Sequence, residues 1–149
     1  MRRPGVVALV LSIACAKEAP PPPPPAAPPS PIAWAFDAPP VWDDRVTFSE
    51  DQQPGSHLSS RVFLYSPRDT TIRPQVLLGI VVYDSATWAR VSAESGPPQG
   101  DSLSSAGGQV VVAGFPQSNP FAEGSADYRT FDSLAVDLAR VRQGFRVLR

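Results

Sequence analysis

The sequence predicts an α+β domain whose largely antiparallel β-sheet carries two helices on one face, preceded by a signal peptide and a disordered Pro-rich linker. Three observations carry this prediction. Short β-rich runs separated by Pro and Gly follow one another along residues 32–149. Only two stretches in that region have apolar residues at helical spacing. Residues 1–31 have the composition of an export leader followed by a polyproline stretch.

Residues 1–14 have the order of an export signal. Arg2 and Arg3 provide a basic start, and residues 6–14 form an apolar run. That run is too short to span a bilayer as a helix, which needs about 20 residues. We therefore expect the chain to be exported.

Cys15 is the only cysteine in the chain, so it cannot form an internal disulfide. The run Ser12-Ile13-Ala14-Cys15 resembles the lipobox of bacterial lipoproteins. The resemblance implies that Cys15 is the lipidation site, carrying acyl chains such as palmitate, and that it becomes the mature N-terminus. Each buried methylene contributes about 0.8 kcal/mol, and two or more chains anchor a protein stably in a membrane.

A second cleavage site overlaps the first. Ala14-Cys15-Ala16 also fits the A-x-A pattern, and cleavage there would release a product that begins at Lys17. Cleavage before Cys15 and cleavage after Ala16 both remain open.

The linker, residues 15–31, is dominated by proline. Because proline fixes φ and removes amide donors, residues 20–31 favour a polyproline II rod of about 35 Å. We expect a tether that holds the domain away from the membrane. The alternative is a ligand for an SH3-like or WW-like domain.

Residues 32–149 contain 10 Arg, 13 Asp or Glu and no Lys. This acidic balance argues against nucleic-acid binding, which requires a basic surface. A segment of this size can bury roughly two-thirds of its unfolded surface, so we expect a single domain.

The strands follow from alternation and turn residues. Trp34 and Phe36 alternate with alanines in a first strand, and a second strand is expected near residues 45–48. The polar residues 50–56 predict a turn or loop, and residues 61–65 predict a third strand. Residues 75–83 are apolar on both faces, as in a central strand covered by helices on one side and by loops or a partner on the other.

Two helices and three further strands complete the pattern, and the first of these strands is a weak one at Leu103. A short helix over residues 86–94 is capped by Asp84 or Ser85, and a glycine turn leads into a strand over residues 109–115. A long helix runs from an N-cap at Ser125 to about residue 143, and a short strand closes the domain.

A family resemblance extends over most of the domain. It rests on a Phe…Pro-x-x-Trp opening at residues 36–42, a Tyr-Asp…Trp strand-to-helix junction at residues 83–88, residues 63–65, 109–112 and 119–120, and the closing helix. The sequence resembles an uncharacterised family of small exported bacterial lipoprotein domains with a PsbP-like α/β sandwich layout. The resemblance implies binding or assembly rather than catalysis, and it brings no catalytic residues.

The enzyme alternative is a small secreted hydrolase that uses His57, the only histidine. It would need a neighbouring serine and an acid such as Asp51 or Asp84. The sequence has no Gly-x-Ser-x-Gly nucleophile elbow, and the other interpretation is a solvated loop residue. We predict no enzyme activity and no catalytic residue.

Metal sites and cofactors are not predicted. One histidine and a lipidated cysteine cannot build a zinc site. The carboxylate pairs at 43–44 and 50–51 lack the alternating pattern of a calcium loop.

The possible binding loop is residues 116–124, a polar stretch punctuated by Gly and Pro. Gln117, Asn119 and Phe121 are its candidate contact residues. The alternative for Phe121 is a hydrophobic staple before the Ser125 cap. Trp42 and Trp88 fit core anchors better than the lining of a ligand groove.

Together these features predict a membrane-anchored lipoprotein of the bacterial cell envelope, on the periplasmic or cell-surface face. Its domain would bind an envelope protein or ligand and no nucleic acid. A purely structural accessory is the remaining alternative.

Overall fold

The computed structural model describes residues 30–53 and 56–148. Cys15, the predicted signal peptide and nearly all of the predicted tether lie outside the described residues. Within the described part of the chain, no helix is both long and apolar enough to cross a membrane.

A five-stranded sheet forms the centre of the domain. Its strands are β2 (Val46–Gln53), β3 (His57–Tyr65), β4 (Gln75–Asp84), β5 (Asp101–Ala106) and β6 (Gln109–Gly114). They lie in the order β2-β3-β4-β6-β5, and every neighbouring pair is antiparallel. The predicted α+β class is confirmed.

The two ends of the domain pair with each other. β1 (Trp34–Phe36) and β7 (Phe145–Val147) form a separate two-stranded antiparallel sheet. A 3₁₀ helix, Pro40–Arg45, connects β1 to β2 and buries Trp42 against Phe36 and Phe63. The first and last predicted strands are therefore present, and Trp42 is a core anchor.

In the described part of the chain, three α-helices accompany the sheet instead of the predicted two: α1 (Ser85–Ala93), α2 (Ala126–Leu134) and α3 (Leu138–Gly144). Alternation along the strands separates a core face from an outer face. Buried residues of α2 and α3 join the core face in one cluster, which includes Leu78, Ile80, Val82, Val111, Ala113, Phe131, Leu134 and Val141. The ring centres of Trp88 in α1 and Tyr83 in β4 are 5.6 Å apart. The position of Tyr83 along β4 places its side chain on the outer face.

The predicted long helix over residues 125–143 is wrong, because the helix is interrupted. Ser125 caps it as expected, accepting from Tyr128 N, but α2 ends at Leu134. The Leu134 carbonyl accepts a hydrogen bond from the Trp42 indole at 2.8 Å, and Asp137 caps α3 through Arg140 N. A tertiary hydrogen bond and a second cap therefore replace the backbone bonds of a continuous helix.

The predicted loop over residues 50–56 is also mostly strand. β2 continues to Gln53, and β3 begins at His57 rather than at residue 61. Cross-strand pairing, including Glu50 with Arg61, stabilises these polar residues as a hairpin. Because β2 is an exposed edge strand, its sequence lacks the apolar alternation that would have revealed it.

The predicted central position of β4 and the predicted cap of the following helix are confirmed. β4 lies in the middle of the sheet, and Asp84 caps α1 by accepting from Thr87 N at 2.8 Å. Gly107 and Gly108 have φ of 56° and 74° and form the predicted tight turn between β5 and β6.

Candidate functional site

The outer face of the sheet carries an open groove of about 460 Å³ over its central strands. The floor is a pair of glycines, Gly79 of β4 and Gly114 of β6, which lie opposite each other across the two strands. Val62 of β3 pairs with Gly79 and lines one side, and Val76, which is 43% exposed, lies nearby.

Two loops form the other walls of the groove. Pro98 and Gln99 come from the connection between α1 and β5. Phe115, Pro116 and Gln117 follow β6 directly. A smaller pocket of about 250 Å³ adjoins the groove and shares Pro98 and the second loop with it.

A β-bulge between β3 and β4 brings Val76 to this face. Leu78 pairs with Phe63, whereas Val76 pairs with Leu64, so Leu77 is the additional residue. Leu77 and Leu78 are both buried, and Val76 returns to the outer face. The bulge therefore adds an apolar side chain to the rim without weakening the core.

The backbone does not require glycine at either floor position. Neither Gly79 nor Gly114 has a positive φ. A Cβ at Gly79 would lie 4.0 Å from its nearest neighbour, the Gly114 carbonyl oxygen, and a Cβ at Gly114 would lie 3.6 Å from Gln99 O. Glycine in a strand interior costs about 0.5–1 kcal/mol relative to alanine. The two glycines thus leave backbone exposed that side chains could cover. Glycines inside strands often mark a site where a ligand approaches the sheet closely.

The groove is uncharged. Among the described residues that line it, none is ionisable, and the two with polar side chains are Gln117 and Gln99, whose amide also donates to Pro97 O at 3.5 Å. The site can bind a largely apolar group and offer hydrogen bonds to a polar atom at the edge of that group. Its described lining has no residue suited to acid–base chemistry.

The three predicted loop residues have different positions. Gln117 is exposed and lines the groove. Asn119 donates to Tyr128 O at 2.9 Å and accepts from Phe121 N at 3.1 Å, which fastens the loop to α2. Phe121 is half-buried and packs edge-on against Tyr65 and Phe131. The structure therefore brings Gln117 to the groove and gives the other two contacts within the domain.

The start of the domain is fastened at the opposite end of the sheet from the groove. Gln109 is buried, and its carboxamide accepts from Ile32 N at 2.8 Å and donates to Ser30 O at 2.9 Å. Gln109 and Gly114 are the two ends of β6, so about 17 Å separates this junction from the groove at 3.4 Å per residue.

A second, more polar cleft of about 320 Å³ lies beside residues 31–34. Arg61 is one of the residues that line it. The guanidinium lies 4.7 Å from the Trp34 ring centre and 5.0 Å from that of Phe48, and it pairs with Glu50. Arg61 thus already has an anionic partner and two aromatic ones, which fits a structural role at the edge of the sheet.

His57 lies in β3 and not in a solvated loop, and its side chain is 13% exposed. Its Nε2 lies 3.9 Å from Asp51 Oδ2, beyond hydrogen-bond distance, and has no hydrogen-bond partner within residues 30–53 and 56–148. Asp84, the other candidate acid, accepts from the backbone N–H and the hydroxyl of Thr87. These positions do not provide the hydrogen-bonded acid and base that a Ser-His-Asp hydrolase uses.

The sequence does not reveal most of the groove, because its walls come from four separate segments. The available signal was Gly79 within the run Val-Leu-Leu-Gly-Ile-Val-Val, since a glycine inside an apolar strand often marks a close approach. The expectation that loops or a partner cover the second face of β4 pointed to the same surface.

Comparisons with known proteins add no assignment. The chain matches no protein-family model, and neither the curated proteins nor the solved structures contain a significant match to it.

Proposed function

We propose that this protein is a membrane-anchored lipoprotein of the bacterial cell envelope whose domain binds an apolar part of another envelope component in the groove over Gly79 and Gly114. The proposed anchor rests on the sequence around Cys15, and the proposed tether rests on the proline-rich residues that follow. No catalytic step is part of this proposal.

The observation that carries the binding role is the bare glycine floor. An exposed apolar surface on a small domain usually marks an interaction site. Here valine and phenylalanine side chains surround Gly79 and Gly114. The backbone at both positions has room for a side chain, but glycine has none. Such a floor lowers the stability of the sheet and increases the depth available to a bound group.

The experiment compares two substitutions on the same face of the sheet. Gly79→Val fills the floor, whereas Ser105→Val adds a side chain of the same size on β5, outside the groove. The full chain and both variants are crosslinked in the native cells, purified, and compared by quantitative mass spectrometry.

The expected result is at least one envelope component whose recovery falls about tenfold with Gly79→Val but is unchanged with Ser105→Val. Circular dichroism of both variants verifies that they are folded. Identical recoveries from the wild type and from folded Gly79→Val would refute the groove as the binding site.

A further inference from the structure

We propose that the group bound in the groove is an aromatic side chain of a partner protein, most suitably tryptophan or tyrosine, lying flat on the Gly79–Gly114 pair. This inference rests on the proposed function and specifies its partner. Four features of the groove support it.

The first feature is the shape of the floor. Two glycines opposite each other on neighbouring strands expose a flat area of backbone. Within sheets, an aromatic ring placed over a glycine shields the backbone that glycine exposes. Among the described residues no side chain fills the floor, since the cavity above the pair is open. A ring supplied from outside would make the missing contact.

The second feature is the lining. Phe115, Pro98 and Pro116 offer flat or rigid apolar surfaces, and Val62 closes the opposite side. An inserted ring can contact Phe115 in an edge-to-face or offset arrangement, which stabilises aromatic pairs beyond their buried area. A volume of about 460 Å³ falls in the usual range for ligand sites.

The third feature is charge and hydrogen bonding. The described residues that line the groove itself are neutral, and Asp101 lines only the adjoining pocket, so the groove favours a neutral group. The carboxamides of Gln99 and Gln117 can pair with the N–H of an indole or the hydroxyl of a phenol, which need a partner when buried. An acyl chain has no polar group to use them.

The fourth feature is position. The junction with the tether lies at Gln109, and the groove lies at the other end of β6. In a chain anchored through residues 15–31, the groove is distant from the point of attachment. That position favours a protein partner over the acyl chains of the anchoring bilayer.

The test uses photolabelling of the full chain in its own membranes. One probe is N-acetyl-tryptophan amide carrying a diazirine on the indole, and the other is palmitate carrying a diazirine on the chain. After irradiation, mass spectrometry identifies the labelled residues in the wild type, Gly79→Val and Ser105→Val.

We expect the indole probe to label Val62, Phe115 and Gln117, with competition by excess unlabelled N-acetyl-tryptophan amide. Labelling should fall about tenfold in Gly79→Val and stay within about twofold of wild type in Ser105→Val. Gly79→Ala is a milder variant in case the valine substitution prevents folding, because its methyl group meets no atom closer than 4.0 Å. It should show a smaller loss in the same direction.

Three outcomes would overturn the inference. Labelling of the groove by the palmitate probe alone would identify an acyl ligand and leave the proposed binding role intact. Equal indole labelling of the wild type and folded Gly79→Val would place the ring elsewhere. Indole labelling that arises only after prolines 20–25 are replaced by Gly-Ser repeats would show that the chain's own proline segment occupies the groove. If the indole probe labels the groove but Gly79→Val lowers the recovery of no envelope component from crosslinked cells, the proposed function is refuted instead.

Discussion

Asp127 links three parts of the domain through one carboxylate. Its Oδ1 accepts from the Tyr65 hydroxyl at 2.6 Å and from Arg68 N at 3.0 Å, and the residue lies in the first turn of α2. The hydrogen bond from Tyr65, followed by that from Arg68 N, holds the pKa of Asp127 below its ordinary 3.8. Burial is the larger cause that raises the pKa of Tyr65 above 10.0, and the hydrogen bond to the Asp127 carboxylate is the next. The pair thus connects β3, the following loop and α2.

This arrangement predicts a pH-dependent stability. A carboxyl group whose pKa is lower in the folded state stabilises the fold above its unfolded pKa, and that stabilisation is lost as the pH falls through the folded pKa. Asp127→Asn should therefore lower the free energy of unfolding by about 1 kcal/mol at pH 7. The difference from wild type should narrow below pH 3.8, the ordinary aspartate value.

Urea unfolding at a series of pH values measures the effect. Asp132→Asn is the matched control, because Asp132 is exposed on the same helix. A difference between wild type and Asp127→Asn that stays constant from pH 7 to pH 2 would contradict the role assigned to this carboxylate.

A second prediction at this scale compares two glycines. Gly79→Ala should stabilise the domain by about 0.4–1 kcal/mol, because the backbone is ordinary and the methyl group has room. Gly100→Ala should destabilise it by more than that amount, since φ is +130° and the new Cβ would lie 2.3 Å from Ala113 O. Thermal unfolding shows directly whether each substitution raises or lowers the melting temperature. A destabilised Gly79→Ala would mean that the fold itself requires this glycine.

At the scale of elements, the break between α2 and α3 depends on Trp42. Its indole donates to Leu134 O across 92 residues of sequence, and the side chain is buried. Trp42→Phe keeps a ring in the aromatic cluster but leaves that carbonyl without this donor. We expect the free energy of unfolding to fall by about 1–3 kcal/mol.

Chemical denaturation followed by circular dichroism measures this loss. Trp88→Phe provides the comparison, because Trp88 is half-buried and packs on Tyr83 at the outer face. Equal effects of the two substitutions would mean that the hydrogen bond to Leu134 contributes nothing specific.

The elements that could be predicted are those whose signals are local. β4 has a continuous apolar run, α1 and α2 have side-chain caps at Asp84 and Ser125, and the β5–β6 turn has paired glycines. The break after Leu134 has no local signal, because it depends on a contact with a residue far away in the sequence. The polar half of β2 was missed because its stabilising partners lie on β3.

The candidate site was predictable only in part for the same reason. Gln117 was singled out from a Gly- and Pro-punctuated loop, and it does line the groove. The floor depends on the register that places Gly79 opposite Gly114, and hydropathy patterns do not reveal cross-strand register. The sequence offers Phe121 either as a contact residue of the loop or as a packed residue before the Ser125 cap, and Tyr65 and Phe131 provide the aromatic contacts that half-bury it.

At the scale of the whole molecule, the junction at residues 30–32 and the proposed binding site lie at opposite ends of β6. The buried carboxamide of Gln109 holds the backbone at Ser30 and Ile32, so the direction in which the chain joins the domain is fixed by the core. A polyproline rod of about 35 Å before that point would place the groove far above a membrane surface. This arrangement suits contact with a partner that is not embedded in the anchoring bilayer.

The anchor itself gives the last prediction. A thioether requires a cysteine sulfur, and the chain has only that of Cys15. Radiolabelled palmitate should therefore enter the wild-type protein in its own cells, and Cys15→Ser should abolish the label. Membrane fractionation should find the wild type with the membranes, because a lipidated Cys15 would carry two or more acyl chains and these give stable attachment.

The matched control is Ala16→Leu, which keeps the thiol but places a large residue at the end of the A-x-A site. If the chain is a lipoprotein, Ala16→Leu incorporates palmitate like the wild type, and mass spectrometry finds an acylated N-terminus at Cys15. An unlabelled wild-type product that begins at Lys17, together with an uncleaved Ala16→Leu precursor, would show that the leader is simply removed. The domain would then act as a released protein, and the separation of the groove from the tether junction would no longer bear on its choice of partner.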